Sequence, residues 1–185
     1  MISETLYQCC WFALQTRSRH EKVVRDRLAS DGFEYLLPVI QRLSQWSDRK
    51  KWIEAPLFAG YCFARFSLRD KLAVLKAPGV VKIVGSSSNL PEPIPEQEID
   101  AIRKLAESDL TCDAHPYLVE GTPVQVIKGP LTGVTGHLVR KAGQHHIVIR
   151  IRLIQQAASI HISAADVVPI ERPPRDSSYG YRPTD

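Results

Sequence analysis

Short apolar runs and amphipathic stretches alternate along the first half of the chain. Residues 10–16, CWFALQT, form an apolar run rich in aromatic side chains, which predicts a strand buried on both faces. In the next stretch, Ser18 and Glu21 have the spacing of a capping box, and Gly32 is a typical stop signal. These positions predict a helix of about three to four turns.

The same kind of patterning predicts the rest of this half. Ser67 and Asp70 repeat the capping spacing before a shorter helix, and Ile99, Ile102 and Leu105 have the spacing of one apolar helix face. Further strands are predicted over residues 34–43, 51–56, 60–66 and 80–85. Strands and helices in this order predict an α/β sandwich with a largely antiparallel sheet.

The segment GYCFARF, residues 60–66, holds three aromatic rings in seven positions. Side chains alternate between the faces of a strand, so Tyr61, Phe63 and Arg65 share one face. The other face, with Phe66, is expected to pack on the helices. Tyr61 and Phe63 would then be anchors for a partner on an uncovered face, or they would be covered by a helix or by the C-terminal part of the chain.

Beyond about residue 119 the chain consists of short β-rich pieces separated by turns. A segment of this size and pattern predicts a small barrel. We therefore expect an α+β protein with four parts: an N-terminal domain over residues 8–108, a linker over 109–118, a β-barrel over 119–170 and a disordered tail over 171–185.

Charge is distributed unevenly along the 185 residues, although the net charge is only +4. Residues 1–90 contain 14 basic and 8 acidic side chains, residues 91–115 contain 2 and 7, and residues 116–170 contain 5 and 2. Basic modules on either side of an acidic connector suggest a protein that works beside a polyanion.

Composition and motifs argue against several classes of protein. With 44% hydrophobic and 24% charged residues, the sequence fits a folded globular protein. It has no apolar run of membrane-spanning length and no signal-peptide pattern, so we expect a cytoplasmic protein. The four cysteines and six histidines lack zinc-site spacing, and no nucleophile elbow or phosphate loop occurs. We expect neither a metal or other cofactor nor enzymatic activity.

Two resemblances give these patterns a function. The stretch VQVIKGPLTGVTGHLV resembles a KOW motif, with a valine-rich strand, Gly-Pro, a small loop, glycine and a second strand. The stretches WFALQTRSRHEKVVRDRL, PLFAGYCFARF and APGVVKIVG resemble the N-terminal domain of the NusG family of transcription elongation and antitermination factors. Together they cover residues 10–170 in the family's order, although Ala59 stands where the family usually has proline. The hairpin sequence is more similar to operon-specific, RfaH-like paralogues than to the general factor.

The NusG resemblance implies an RNA-recognition-like N-terminal fold, an SH3-like KOW barrel and a monomer that binds RNA polymerase. Gln15, Phe58, Tyr61 and Phe63 match the family's docking patch for the clamp helices of the polymerase β′ subunit. The β subunit would be contacted across the DNA channel. Such a bridge holds the clamp closed and suppresses pausing or termination.

Two further surfaces are implied by the same resemblance. Arg17, Arg19, His20 and Lys22 lie where specialised members contact the non-template DNA strand; a solvated helix start is the alternative. In the KOW module, Leu131 lies between Gly129 and Gly133 at a position that family members use to bind ribosomal protein NusE or the termination factor Rho. Alternatively, Leu131 plugs the end of the barrel.

Two other functions stay open on the sequence. GYCFARF also resembles the aromatic signature of an RNA-recognition motif, whose rings stack on bases. KOW modules occur as well in ribosome-associated proteins. Either would make the chain an RNA-binding protein, distinguishable by its binding to RNA or ribosomes without polymerase.

Overall fold

The computed structural model describes residues 8–45, 50–87, 90–108, 112–115, 121–141, 144–151 and 153–170. The N-terminal half has eight strands in this part of the chain: β1 (Cys10–Thr16), β2 (Glu34–Leu36), β3 (Val39–Gln45), β4 (Lys50–Pro56), β5 (Tyr61–Phe66), β6 (Val80–Ile83), β7 (Gly85–Ser87) and β8 (Leu90–Pro91). Its helices are α1 (Glu21–Ser30), α2 (Lys71–Leu75) and α3 (Glu96–Glu107), and a 3₁₀ turn, Leu68–Asp70, precedes α2. Antiparallel pairing gives a main sheet in the order β2-β5-β1-β6, with β3-β4 and β7-β8 as separate hairpins.

One face of the main sheet packs on the first two helices, as the alternation predicts. Phe12, Leu14, Cys62, Ala64 and Phe66 form a buried cluster there with residues of α1 and α2. The rings of Phe12 and Phe66 lie 4.8 Å apart between centroids. Burial raises the pKa of the Cys62 thiol to about 12, since the apolar surroundings disfavour the thiolate.

The first helix forms where it was predicted, but its capping box does not. The residue at the N-cap is His20 and not Ser18, and no side chain caps the helix there. Glu21 instead accepts a hydrogen bond from the Gly60 backbone N–H at 2.8 Å. Arg19 has a φ of 61°, in the left-handed region. That conformation moves Ser18 away from the helix start, so the predicted cap was wrong.

The C-terminal half is a six-stranded antiparallel sheet around an apolar interior, which confirms the predicted β-rich unit. Its strands are β9 (Cys112–His115), β10 (Thr122–Val126), β11 (Thr135–Lys141), β12 (Gln144–Ile151), β13 (Gln156–His161) and β14 (Val167–Pro169), in the order β14-β10-β11-β12-β13-β9. We call this unit the barrel. Strand β9 lies within the segment predicted as a linker, which is a correction: part of that segment is a sheet strand. The predicted tail lies outside the described residues.

Helix α3 lies between the two halves. Ile99, Ile102 and Leu105 are buried as the spacing predicts, and Ala101, one turn before Leu105 at the margin of this face, is only 7% exposed. One continuous hydrophobic cluster runs from the main sheet through α3 into the barrel interior. The Lys104 Nζ donates a hydrogen bond to the Thr132 carbonyl of the barrel at 2.8 Å. The two predicted domains therefore pack against each other. None of the helices in the described ranges has the length and apolar character needed to cross a bilayer.

Candidate functional site

The second face of the main sheet consists of three cross-strand rows. Antiparallel register places Tyr61 beside Gln15 and Gln15 beside Lys82, across strands β5, β1 and β6. The next row along this face pairs Phe63 with Ala13 and Leu36. The third row pairs Arg65 with Trp11 and Glu34. Three of the four predicted docking residues, Gln15, Tyr61 and Phe63, thus lie in the first two rows, and Phe58 precedes β5.

The aromatic residues of this patch differ sharply in exposure. Tyr61 and Gln15 are half-buried, whereas Phe63 is 0% and Phe58 1% exposed. The rings of Phe58 and Phe63 meet edge to face, 6.1 Å apart between centroids. The expectation that Phe63 faces outward is therefore wrong, and Phe58 is buried with it. Their rings belong to the cluster that continues through α3 into the barrel. Of the two predicted arrangements, the one in which other parts of the chain cover the rings therefore applies to both.

Helix α3 covers the Trp11 side chain of the third row, whereas Arg65 and Glu34 of the same row stay exposed. The Trp11 Nε1–H donates to the Glu96 carboxylate at 3.3 Å, and the Arg103 guanidinium lies 5.7 Å from the Trp11 ring centroid. Arg103 also forms an ion pair with Glu34 of β2 at 3.5 Å. Trp11 is consequently only 1% exposed. At the other end of the face, Lys82 is exposed and Tyr61 and Gln15 are half-buried, so this row also stays accessible.

The start of β5 is fixed by the helix on the opposite side of the sheet. Gly60 donates its N–H to Glu21 and accepts the Thr16 N–H through its carbonyl, both at 2.8 Å. Its φ of 80° is one that glycine adopts without strain. Because Tyr61 follows directly, these two hydrogen bonds set where the tyrosine side chain leaves the sheet.

The predicted nucleic-acid residues gather at the start of α1. Arg17 and Arg19 are exposed, and the Arg17 N–H donates to the Gly79 carbonyl at 2.8 Å. The His20 Nδ1 lies 2.9 Å from the Ser18 carbonyl oxygen. This segment therefore has a defined backbone conformation, and it presents two arginine side chains to solvent.

Lys22 differs from the other members of this group because it has an acidic partner. Its Nζ lies 2.9 Å from the Glu54 carboxylate of strand β4. Hydrogen bonding and the positive charge of Lys22 lower the pKa of Glu54. Glu54 therefore stays ionised, and the ion pair persists, down to a pH below the usual range for a glutamate. Lys22 would have to leave this partner to bind a phosphate.

In the barrel, the two predicted glycines shape the loop between β10 and β11. Gly129 and Gly133 have φ values of 82° and 88°, which side chains rarely adopt. Thr132 donates both its N–H, at 3.1 Å, and its hydroxyl, at 2.6 Å, to the Gly129 carbonyl. Leu131 is only 2% exposed and packs into the interior cluster, as the plug alternative predicts. It also contributes to the wall of an open pocket of about 320 Å³.

Comparisons with known proteins agree with this architecture. Residues 9–103, just over half of the chain, match the family model described as "Transcription termination factor nusG". The chain belongs to the NusG family. It is 32% identical over 143 residues to the transcription termination/antitermination protein NusG of Streptococcus pyogenes, which covers 70% of this chain and 79% of that protein. The Pseudomonas aeruginosa NusG is 27% identical over 68% of this chain and 78% of its own length.

A solved structure of NusG from Thermotoga maritima, described as a study of domain interaction, has the same fold. It superposes with a TM-score of 0.50 over 89% of this chain and 98% of that one, at 21% identity. Both the NusG-type fold and the family membership predicted from the sequence are thus confirmed.

For this NusG-family chain, sequence reasoning missed the residues that cover the patch. Trp11 was assigned only to a buried strand, and Glu96, Arg103 and Lys104 had no predicted role. A usable signal was present, because Ala101 extends the apolar arc of α3 beyond the roughly 100° that a helix packed on one side requires. A helix with so wide an apolar arc is expected to contact two neighbours.

Proposed function

We propose that this chain binds RNA polymerase and suppresses pausing or termination. The accessible row of Gln15 and Tyr61 would contact the clamp helices of the β′ subunit, and the buried pair of Phe58 and Phe63 would form its rigid base. The observation that carries this proposal is the half-buried Tyr61, which stays partly accessible on a sheet face where Phe58 and Phe63 are fully buried, in a chain of the NusG family. Aromatic residues in such positions are typical binding anchors.

The mechanism follows from differential binding. A factor that spans from the clamp to the β subunit binds the closed, processive polymerase better than the open, paused one. It therefore shifts the polymerase population toward the elongating state without catalysing a reaction.

A matched pair of tyrosine variants tests the docking proposal. Tyr61→Ala removes the proposed anchor, whereas Tyr35→Ala removes a 41% exposed tyrosine from the neighbouring strand β2. We expect the first to weaken binding to core polymerase by about 30-fold, as for a hot-spot residue, and the second by less than twofold. Equal affinities for the two variants, measured by fluorescence anisotropy, would refute the docking site. Tight binding to RNA oligonucleotides or ribosomes without polymerase would favour the RNA-binding alternatives.

The exposed start of α1 is proposed as a contact for the non-template DNA strand. Arg17 and Arg19 would neutralise phosphates, with His20 beside them and Lys22 joining when it leaves Glu54. Glu54→Gln weakens that competing pair, so we expect it to strengthen binding of single-stranded DNA. The slope of log affinity against log salt concentration should become steeper by about 0.7, the contribution of one phosphate contact. An unchanged slope would show that Lys22 does not contact DNA.

The barrel is proposed to recruit a further factor, NusE or Rho, through the loop of Gly129, Leu131 and Gly133. The rigid turn supports this proposal, since it holds a short loop in one conformation beside an open pocket. In an isotope-labelled chain, adding NusE or Rho should shift the amide resonances of residues 128–133 before others in the barrel. Shifts confined to other strands would contradict this assignment.

A further inference from the structure

Strand β9 adds a sixth strand to the edge of the barrel. Its residues pair antiparallel with β13, from Cys112 opposite Ile160 to His115 opposite Ala157. Among the described residues the sheet order ends at β9, where one edge of this strand is paired, with β13. Its sequence, CDAH, contains no β-branched residue and no Phe, Tyr or Trp, and aspartate and alanine are depleted in strands. Strand β9 therefore has little intrinsic preference for this position and is held there by pairing.

Pairing of β9 shortens the connection between the two halves of the molecule. Helix α3 ends at Glu107, and only residues 109–111 lie between Ser108 and Cys112. With consecutive Cα atoms 3.8 Å apart, Ser108 and Cys112 can be separated by at most about 15 Å. If β9 left β13, the connection would extend from Ser108 to Thr122 and could span roughly 45–50 Å. Whether the barrel can move away from α3 thus depends on whether residues 112–115 stay paired with β13.

We propose that β9 is a releasable strap that holds the barrel on helix α3. While β9 is paired, the barrel cannot leave the vicinity of the helix, and contacts such as Lys104 to Thr132 re-form readily. Release lengthens the tether from three to thirteen residues. The entropic cost of loop closure grows as (3/2)RT ln n, so the local concentration of the barrel at α3 falls as the −3/2 power of tether length, about ninefold here. Strand pairing at one edge of the barrel is thereby coupled to the separation of the two halves.

Two insertions of equal length test the strap in the full chain. Ten Gly/Ser residues between residues 110 and 111 lengthen the tether while β9 can stay paired. The same insertion between residues 117 and 118 lies beyond β9 and leaves the strapped connection unchanged. We expect the first variant to increase the ratio of separated to packed molecules about ninefold, with a larger radius of gyration by X-ray scattering. The second should match the parent chain. Equal behaviour of the two insertions would overturn the proposal.

Proline substitutions test the pairing itself. Adjacent residues of a strand direct their N–H groups to opposite edges, so only one of Asp113 and Ala114 donates to β13. Of the single variants Asp113→Pro and Ala114→Pro, one should separate the two halves and the other should not, as judged by independent tumbling of the barrel in ¹⁵N relaxation. If neither variant changes tumbling, β9 is not a strap. If both unfold the barrel, β9 is an integral strand, and the proposal is equally wrong.

Discussion

Replacing Phe63 by alanine measures whether the docking face is covered in solution. The ring is 0% exposed and packs edge to face on Phe58. Truncating a fully buried phenylalanine removes its transfer free energy and leaves a cavity, which together cost about 3–5 kcal/mol. An aromatic residue on an open face would cost less than about 0.5 kcal/mol when truncated. The loss in free energy of unfolding thus differs by several kcal/mol between a buried and a solvent-exposed Phe63.

Urea denaturation followed by circular dichroism gives this difference directly. With an m-value of about 2 kcal/mol per molar, the expected loss lowers the unfolding midpoint by roughly 1.5–2.5 M. A loss of this size is a large part of the 5–15 kcal/mol that typically stabilises a domain. Phe63→Leu, which keeps most of the apolar volume, should show a smaller shift in the same direction and remains measurable if the alanine variant unfolds.

A midpoint shift below about 0.3 M for Phe63→Ala would refute the reasoning, because the ring would then be accessible to solvent. Tyr35→Ala is the control, since it removes an aromatic ring that is already 41% exposed. Its midpoint should stay close to that of the parent chain. Parallel polymerase-binding measurements should be made only on variants that remain folded.

Three further outcomes follow from particular contacts. Glu21→Ala leaves the Gly60 N–H without its acceptor and should lower the free energy of unfolding by about 1–3 kcal/mol. Glu21→Gln keeps an acceptor oxygen, so it should retain most of that free energy in the same denaturation assay. Arg19→Gly and Gln155→Gly each replace a side chain in a left-handed conformation, so each should raise the thermal midpoint by the equivalent of about 0.5–1 kcal/mol. A lower thermal midpoint in both variants would exclude strain at these residues. Cys62, with its pKa near 12, should resist iodoacetamide at pH 8.5 in the folded chain and react in urea, and its contribution to stability should be lost as pH rises from about 9 toward 12.

Local pattern predicted the elements of the fold well, and tertiary contacts decided the details. Alternation along GYCFARF placed Phe66 and Phe63 on opposite faces correctly. It could not reveal that Phe63 is covered, because the residues that join it in one cluster lie far away in the sequence. Spacing likewise found the helix after Ser18. The predicted cap is absent because the left-handed Arg19 separates Ser18 from the helix start, and Glu21 is hydrogen-bonded to Gly60, 39 residues further along the chain.

Strand β9 shows the limit of sequence patterns most clearly. Nothing in CDAH favours a strand, so the segment was predicted to be a linker. Its conformation follows from the free edge of β13, which any extended backbone can occupy through main-chain hydrogen bonds. The proposed docking residues, Gln15 and Tyr61 among them, rest on the family resemblance, which contains no information on the packing of α3.

A helix buried on two sides has a consequence for how the molecule comes apart. Ala101 and Leu105 belong to a buried cluster that also contains residues of the main sheet and of the barrel, so loss of either neighbour removes part of that cover from α3. Cutting the chain after residue 108 would leave an N-terminal fragment with an exposed apolar stripe on α3, which would favour self-association. Any fragment designed for crystallisation or binding work should therefore replace the exposed positions of this helix with polar residues.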